Sequence, residues 1–237
     1  MGKSSLPDLS LGRWLSRGWK AYTSQLAPLI VASLVLTVVS LPSLAMAFDS
    51  TPTWVWVAMA VSLLAVYPVL LIGWCAMLLK AVRGRPAGLA DLFSGLSRLG
   101  PSWGTGVLVT VLTFVGNLLL VVPGILVWCA YMCALFAVED RKLSASASLT
   151  LSATISAGHR GKIFGIWCIS AVSGLVAIYF LRAGQSNSDG NGPMFYAIAV
   201  VVSLVEAVIL GPWTCAANAA AYDDLVALQD TAAASES

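Results

Sequence analysis

Charge is scarce in this chain. Lys and Arg number 13, Asp and Glu 11, and together they make 10% of 237 residues, against about 25% in soluble domains. With 59% hydrophobic residues and a mean hydropathy of +0.87, a water-soluble fold of this length has too little polar surface to cover its apolar mass. The net charge of +2 and the absence of a long basic tract exclude a nucleic-acid surface. Histidine occurs once, at His159. A metal site needs about four ligands, so the i, i+4 pair Cys129 and Cys133 lacks partners, and no cofactor is expected. All five cysteines, Cys75, Cys129, Cys133, Cys168 and Cys215, fall in apolar segments, where thiols act as small hydrophobes.

An early apolar core is also missing. The first 25 or so residues carry Lys3, Arg13, Arg17 and Lys20 and lack the cleavage site of a secretory signal. Leu6 stands where a myristoylation motif wants Ser or Thr. The first hydrophobic run is therefore expected to stay in the membrane.

What the chain does have is long apolar runs. A helix crosses the hydrocarbon core in about 20 residues. The sequence predicts an all-α polytopic membrane protein with six spans near 26–48, 53–79, 102–122, 124–140, 163–181 and 194–222. Residues 1–25 precede the membrane domain at 26–225, and 226–237 form a tail. Pro123-Gly124 splits a stretch too long for one span. The fourth span is short, so it must run past Glu139, thin the bilayer, or be buried among its neighbours. Bases cluster before the first span, between the second and third, and between the fourth and fifth. Only Arg182 falls elsewhere. Cytoplasmic loops carry the excess of Lys and Arg, so both termini are expected inside, with the spans joined as three hairpins.

Each hairpin is preceded by an amphipathic stretch, predicting three cytoplasmic helices. In the first, Leu11, Trp14, Leu15, Trp19 and Tyr22 form a stripe beside Arg13, Arg17 and Lys20. That composition suits a helix in the headgroup plane, with Trp14, Trp19, Arg13, Arg17 and Lys20 as interfacial anchors. Leu89, Leu92, Phe93 and Leu96 repeat the spacing, and Ser144 to Ser156 is the weakest copy. Ser24-Gln25-Leu26-Ala27-Pro28 matches Ser97-Arg98-Leu99-Gly100-Pro101. Trp74-Cys75-Ala76, Trp128-Cys129-Ala130 and Trp213-Thr214-Cys215 recur in the returning spans, which suggests a threefold repeat. Small or hydroxylated seams, Ser33, Thr37 and Ser40, then Gly106, Thr110, Thr113 and Asn117, then Ser170, Ser173, Gly174 and Ala177, suit helix packing in lipid.

No nucleophile, phosphate loop or paired carboxylate is visible, so an enzyme is not expected. Glu206 is the exception in otherwise neutral spans, predicted near mid-membrane with Asn117 or Ser203 as hydrogen-bond partners. An ionisable residue there serves packing or marks an ion path.

Pro123-Gly124-Ile125, Glu139-Asp140-Arg141, the Ser-rich Leu149 to Ser156 and His159-Arg160-Gly161-Lys162 carry a resemblance. The chain resembles a bacterial family: the membrane domain appended to some glycerophosphodiester phosphodiesterases, and its stand-alone six-helix relatives. The resemblance implies a bacterial plasma (inner) membrane, a repeated helix-pair architecture and no established activity. The phosphodiesterase part has no counterpart in this sequence. The expectation is a non-catalytic subunit or scaffold that contacts membrane lipids and other membrane subunits or its own copies. The rival is a small transporter or channel with Glu206, Asn117 and the Gly211-Pro212 break on its path.

The topology is checked by cysteines introduced one at a time. Those at Lys3, Arg85, Arg141 and Ala233 are expected to be shielded from an impermeant thiol reagent in intact cells, and those at Asp49 and Asn187 to be labelled. Labelling of position 85 from outside overturns the six-span reading.

Overall fold

The long uncharged runs fold as helices because lipid offers backbone groups no partners outside the segment. A computed structural model describes residues 9–40, 52–119, 121–186 and 191–236, and among them there is no strand. Five helical stretches are long and apolar enough to cross a membrane: Thr53–Val82, Leu89–Gly116, Val122–Asp140, Arg160–Ser186 and Gly192–Ser235. A sixth arises if two helices joined at a 99° bend, α1 (Leu11–Ser24) and α2 (Leu26–Ser40), are taken as one. The end of the first expected span, 41–48, most of the loop expected after it, 49–51, and 187–190 of the loop expected before the sixth span lie outside the described residues.

The stretch Thr53–Val82 comprises α3 (Thr53–Val61), one π turn over Ser62–Val66, and α4 (Tyr67–Val82). A four-residue helix, α5 (Leu89–Leu92), leads through a 3-10 turn into α6 (Leu99–Leu119). Then come α7 (Val121–Asp140), α8 (Ala145–Ser156), α9 (Arg160–Ser186) and α10 (Gly192–Val205). A second π turn over Glu206–Leu210 continues into α11 (Gly211–Glu236). The short fourth span takes two of its three available routes. It continues as helix to Asp140, and 56% of its most apolar window is buried, the largest share among the five stretches.

Burial is concentrated at one end of the bundle. Trp74, Met77, Leu78 and Leu79 of α4, Cys133 through Val138 of α7, and Ala216, Ala217, Ala219, Ala221 and Tyr222 of α11 form the core. No residue of α3 is buried, and α9 and α10 expose Val172, Leu175, Tyr179, Val200, Val201 and Leu204. The same apolar chemistry thus packs on protein at one end and stays bare at the other, as spans surrounded by lipid do.

The first amphipathic helix faces protein rather than the headgroup plane. Trp14, Gly18, Ala21 and Tyr22 of α1 are buried where it packs along α11. A Cβ on Gly18 would stand 2.5 Å from the Ala217 nitrogen, so this approach needs glycine. The second copy is broken up: α5 stops at Leu92, which is buried, while Phe93 and Leu96 are exposed. The Leu92 carbonyl lies where a Cβ on Gly73 of α4 would be. The third copy buries its serines. Ser148, Ser152 and Ser156 are fully covered, and Ser152 and Ser156 donate to the Ala130 carbonyl of α7 at 2.7 and 3.3 Å.

Both π turns begin six residues before a proline, Pro68 or Pro212. Proline lacks an N–H, and its ring clashes with the carbonyl four residues back, here Leu64 and Val208. The widened turn frees these carbonyls, and aromatic donors meet both. Trp103 Nε1 of α6 donates to Leu64 O at 2.7 Å, and Tyr22 Oη of α1 donates to Val208 O at 2.5 Å. Aligned on these prolines, Ser62 matches Glu206 and Gly73 matches Ala217, the two close-approach sites. Trp74 and Trp213 then fall five positions apart, so these two triplets do not share a structural register.

A carbonyl left bare in a buried site costs about 1–3 kcal/mol. Tyr22→Phe is expected to destabilise the protein by about that amount, and to lose most of the effect in a Pro212→Ala background, where the helix can close. Equal costs in both backgrounds, read from thermal melts in detergent, overturn this account of the π turn.

Candidate functional site

Helix ends in an apolar bundle are where charged side chains can stay partly wet, and the ends of α4, α7 and α11 bring theirs together. Arg83, capping α4, donates from Nη1 and Nη2 to the two carboxylate oxygens of Asp140 at 2.5 and 3.0 Å. Its Nε donates to Asp223 Oδ1 at 2.9 Å. Arg17 of α1 spans Asp223 and Asp224 at 2.9 and 2.5 Å. Trp14 Nε1 donates to Asp224 Oδ2 at 3.1 Å, and Tyr222 Oη to Asp140 Oδ2 at 3.0 Å. Arg13 stands 3.6 Å from Asp224. The fork-shaped bond to Asp140, with the bond to Asp223 behind it, holds the Arg83 guanidinium in its charged form well above the ordinary value.

The five expected interfacial anchors therefore separate. Trp14, Arg13 and Arg17 turn onto α11, whereas Trp19 and Lys20 face outward. Trp14 is 0% exposed, which removes it from any bilayer contact.

Glu206 opens the second π turn. Ser173 of α9 donates to its Oε2, and the same hydroxyl lies 2.9 Å from the Ser170 carbonyl, leaving one hydrogen for two acceptors. Ser170 Oγ meets Thr214 Oγ1 at 2.8 Å. Hydroxyls of α11 and α9 thus lead toward the carboxyl group, with the Ser170 carbonyl standing between those of Ser170 and Ser173. Ser203 lies on the exposed face of α10, and the hydroxyl that meets Glu206 is Ser173. Asn117 falls in α6, but its side chain lies outside the described residues. In the first seam, Ser33 and Thr37 bond carbonyls of their own helix, a packing use.

The reasoning from sequence missed Arg83, Asp140 and Asp223 as one constellation. A signal was present, since each returning span ends in a charge about 11 residues after its tryptophan. Chemically the cluster is saturated: every carboxylate in it faces a guanidinium. Among the described residues, no group of three or more His, Cys, Asp or Glu side chains could hold a metal ion. Comparisons with protein-family models, with curated proteins and with solved structures find no match to this chain.

Removing one member of a desolvated pair leaves its partner uncompensated, at a cost of about 3–5 kcal/mol. Arg83→Ala is expected to approach that range, and Arg83→Lys to recover only part of it because an ammonium lacks the planar fork. A Lys variant melting like the wild type shows that the bidentate geometry is unimportant.

Proposed function

We propose that the chain is a non-catalytic integral membrane subunit or scaffold of a bacterial inner-membrane assembly, with six spans in three hairpins and both termini cytoplasmic. The observation that carries this reading is the contrast between the two ends of the bundle. At one end the three clustered acids Asp140, Asp223 and Asp224 are spent on guanidinium groups. At the other, bare apolar helix faces are available to lipid or to other spans.

Sidedness follows from the bases. Arg13, Arg17, Lys80, Arg83, Arg141 and Lys142 join in ion pairs at the charged end, which the positive-inside rule puts in the cytoplasm. The hairpins are supported by α6 packing along α7 and α9 along α10, with α2 against α4. The threefold scheme is supported by three like contacts, each joining a short helix to a core helix: α5 on α4, α8 on α7 and α1 on α11. In that scheme α1 closes the ring. The resemblance to the membrane domain of some phosphodiesterases fits this architecture and supplies no activity.

The hydroxyls leading toward Glu206 favour a second reading, a small transporter or channel. Against it stands depth. The stretch from Gly192 to Leu210 is about 28 Å long at 1.5 Å per residue, close to the roughly 30 Å hydrocarbon core. With Gly192 at the outer boundary, Glu206 lies about 21 Å in at 1.5 Å per residue, past the middle of the core and nearer its inner side. A carboxyl group there can hydrogen-bond Ser173 and meet water without serving a path.

Purification in mild detergent is expected to bring a stoichiometric membrane companion or a defined homo-oligomer. Glu206→Gln keeps shape and hydrogen bonding, so assembly and any ion flux in reconstituted vesicles should be unchanged. A variant that assembles normally yet loses measurable flux makes the transporter reading the correct one.

A further inference from the structure

At the charged end, α4, α5 and α7 enclose a cleft of about 280 Å³. Its polar wall carries Lys80, Arg83, Arg85, Lys142, Ser94 and Glu139, and its apolar wall includes Leu79 and Phe136. Most of these polar groups are committed within the protein. Lys80 pairs with Asp91 at 2.7 Å, Arg83 with Asp140, and Lys142 with Glu139 Oε1 at 2.5 Å. Three are not. Ser94 Oγ and Glu139 Oε2 are buried without a hydrogen-bond partner, and among the described residues the Arg85 guanidinium has none. A buried polar atom left unpaired costs about 1–3 kcal/mol, and two of them on residues that line one cleft, beside the solvent-exposed guanidinium of Arg85, ask for a common explanation.

The chemistry of the three narrows the ligand. A guanidinium fork recognises phosphate, with Lys80 and Lys142 adding charge nearby. Glu139 Oε2 as a carboxylate oxygen only accepts, so the ligand must also bring a hydrogen-bond donor. Phosphate or sulfate alone would leave that oxygen unpaired and repel it. We propose that the cleft binds the headgroup of a phospholipid whose phosphate carries an ammonium or hydroxyl a few bonds away, with the phosphate at Arg85 and the donor at Glu139 Oε2 and Ser94 Oγ. Leu79 and Phe136 offer an apolar surface to the glycerol end. A choline headgroup has the phosphate but no donor. The proposal uses the reading above only to place this end among lipid headgroups; binding in detergent does not depend on sidedness or on the scaffold role.

The full chain in mild detergent is titrated with phosphatidylethanolamine, phosphatidylcholine and soluble phosphoethanolamine, and bound molecules are counted by native mass spectrometry. Phosphatidylethanolamine is expected to bind about tenfold more tightly than phosphatidylcholine, the value of one charge-assisted hydrogen bond. Ser94→Ala and Glu139→Gln should each erase most of that preference, and Arg85→Ala should weaken both lipids. Ser94→Ala removes a buried hydroxyl with no protein partner, so its melting temperature without lipid should be no lower than that of the wild type, which separates lost binding from lost folding. Weaker binding of soluble phosphoethanolamine supports a bilayer source, and equal binding supports the same headgroup chemistry from a soluble one. Equal affinity for the two lipids, a preference that survives both variants, or no binding of any probe overturns the proposal.

Discussion

One guanidinium holds the ends of three helices. Arg83 reaches Asp140 on α7 and Asp223 on α11 from the end of α4, and these are the helices whose apolar faces make the core. Charged pairs of this kind seldom add much net stability, because desolvation offsets most of the Coulomb gain. Their effect is on register. Apolar helix faces in lipid can slide or rotate at little cost, since a lipid tail is as good a neighbour as a leucine. A bidentate bond cannot slide. With α4, α7 and α11 fixed at one end, the bare segments beyond are held by their continuity with these helices and, for α9 and α10, by packing on each other.

The prolines place the remaining pieces by a different route. Pro68 and Pro212 each release a carbonyl, and a released carbonyl in an apolar setting needs a donor. Trp103 and Tyr22 supply it from α6 and α1. The bond from Tyr22 explains why α1 lies along α11 instead of floating at the surface, together with Trp14 and Arg17 on Asp224. The same widened turn presents Glu206 to Ser173. A feature resembling a break for ion passage is equally a consequence of one missing N–H.

Five apolar spans and the run of helix past Glu139 were legible because length and apolarity decide them, but the turn expected at Pro123-Gly124 is not there: α7 starts at Val121 and takes both residues into its first turn, where a proline is tolerated because its missing N–H has no partner anyway. The faces were less so. The stripe through Trp14 and Tyr22 has the periodicity of a bilayer-facing helix, yet Gly18 between them meets Ala217 of α11 at backbone distance; periodicity identifies an apolar face without saying whether lipid or protein covers it. In α8 the usual rule is reversed. Ser148, Ser152 and Ser156 are the inner face because a hydroxyl is small and can bond Ala130, which a hydropathy pattern scores as outward. The Leu89 to Leu96 stripe failed for a local reason, since Gly95 lets the chain come within 2.6 Å of the Val69 carbonyl, measured from where a Cβ would stand. Ser173 as the partner of Glu206, in place of Ser203, required knowing that α9 lies beside the π turn.

The end of α7 shows how locking and recognition can share a few residues without interfering. Glu139 and Asp140 are consecutive, and consecutive side chains on a helix point about 100° apart at 3.6 residues per turn. Asp140 therefore turns to Arg83 and Tyr222 and is fully engaged. Glu139 turns to the cleft, where one oxygen takes Lys142 and the other is unpaired. Lys142 itself sits at a φ of 53°, a left-handed conformation that lysine adopts reluctantly, and which turns the chain back toward Glu139. Arg83 lines the cleft as well as the lock. Occupancy of the cleft by a phosphate would thus act on the residue that fixes the three core helices, and the site with unfilled hydrogen-bonding capacity adjoins the one with none.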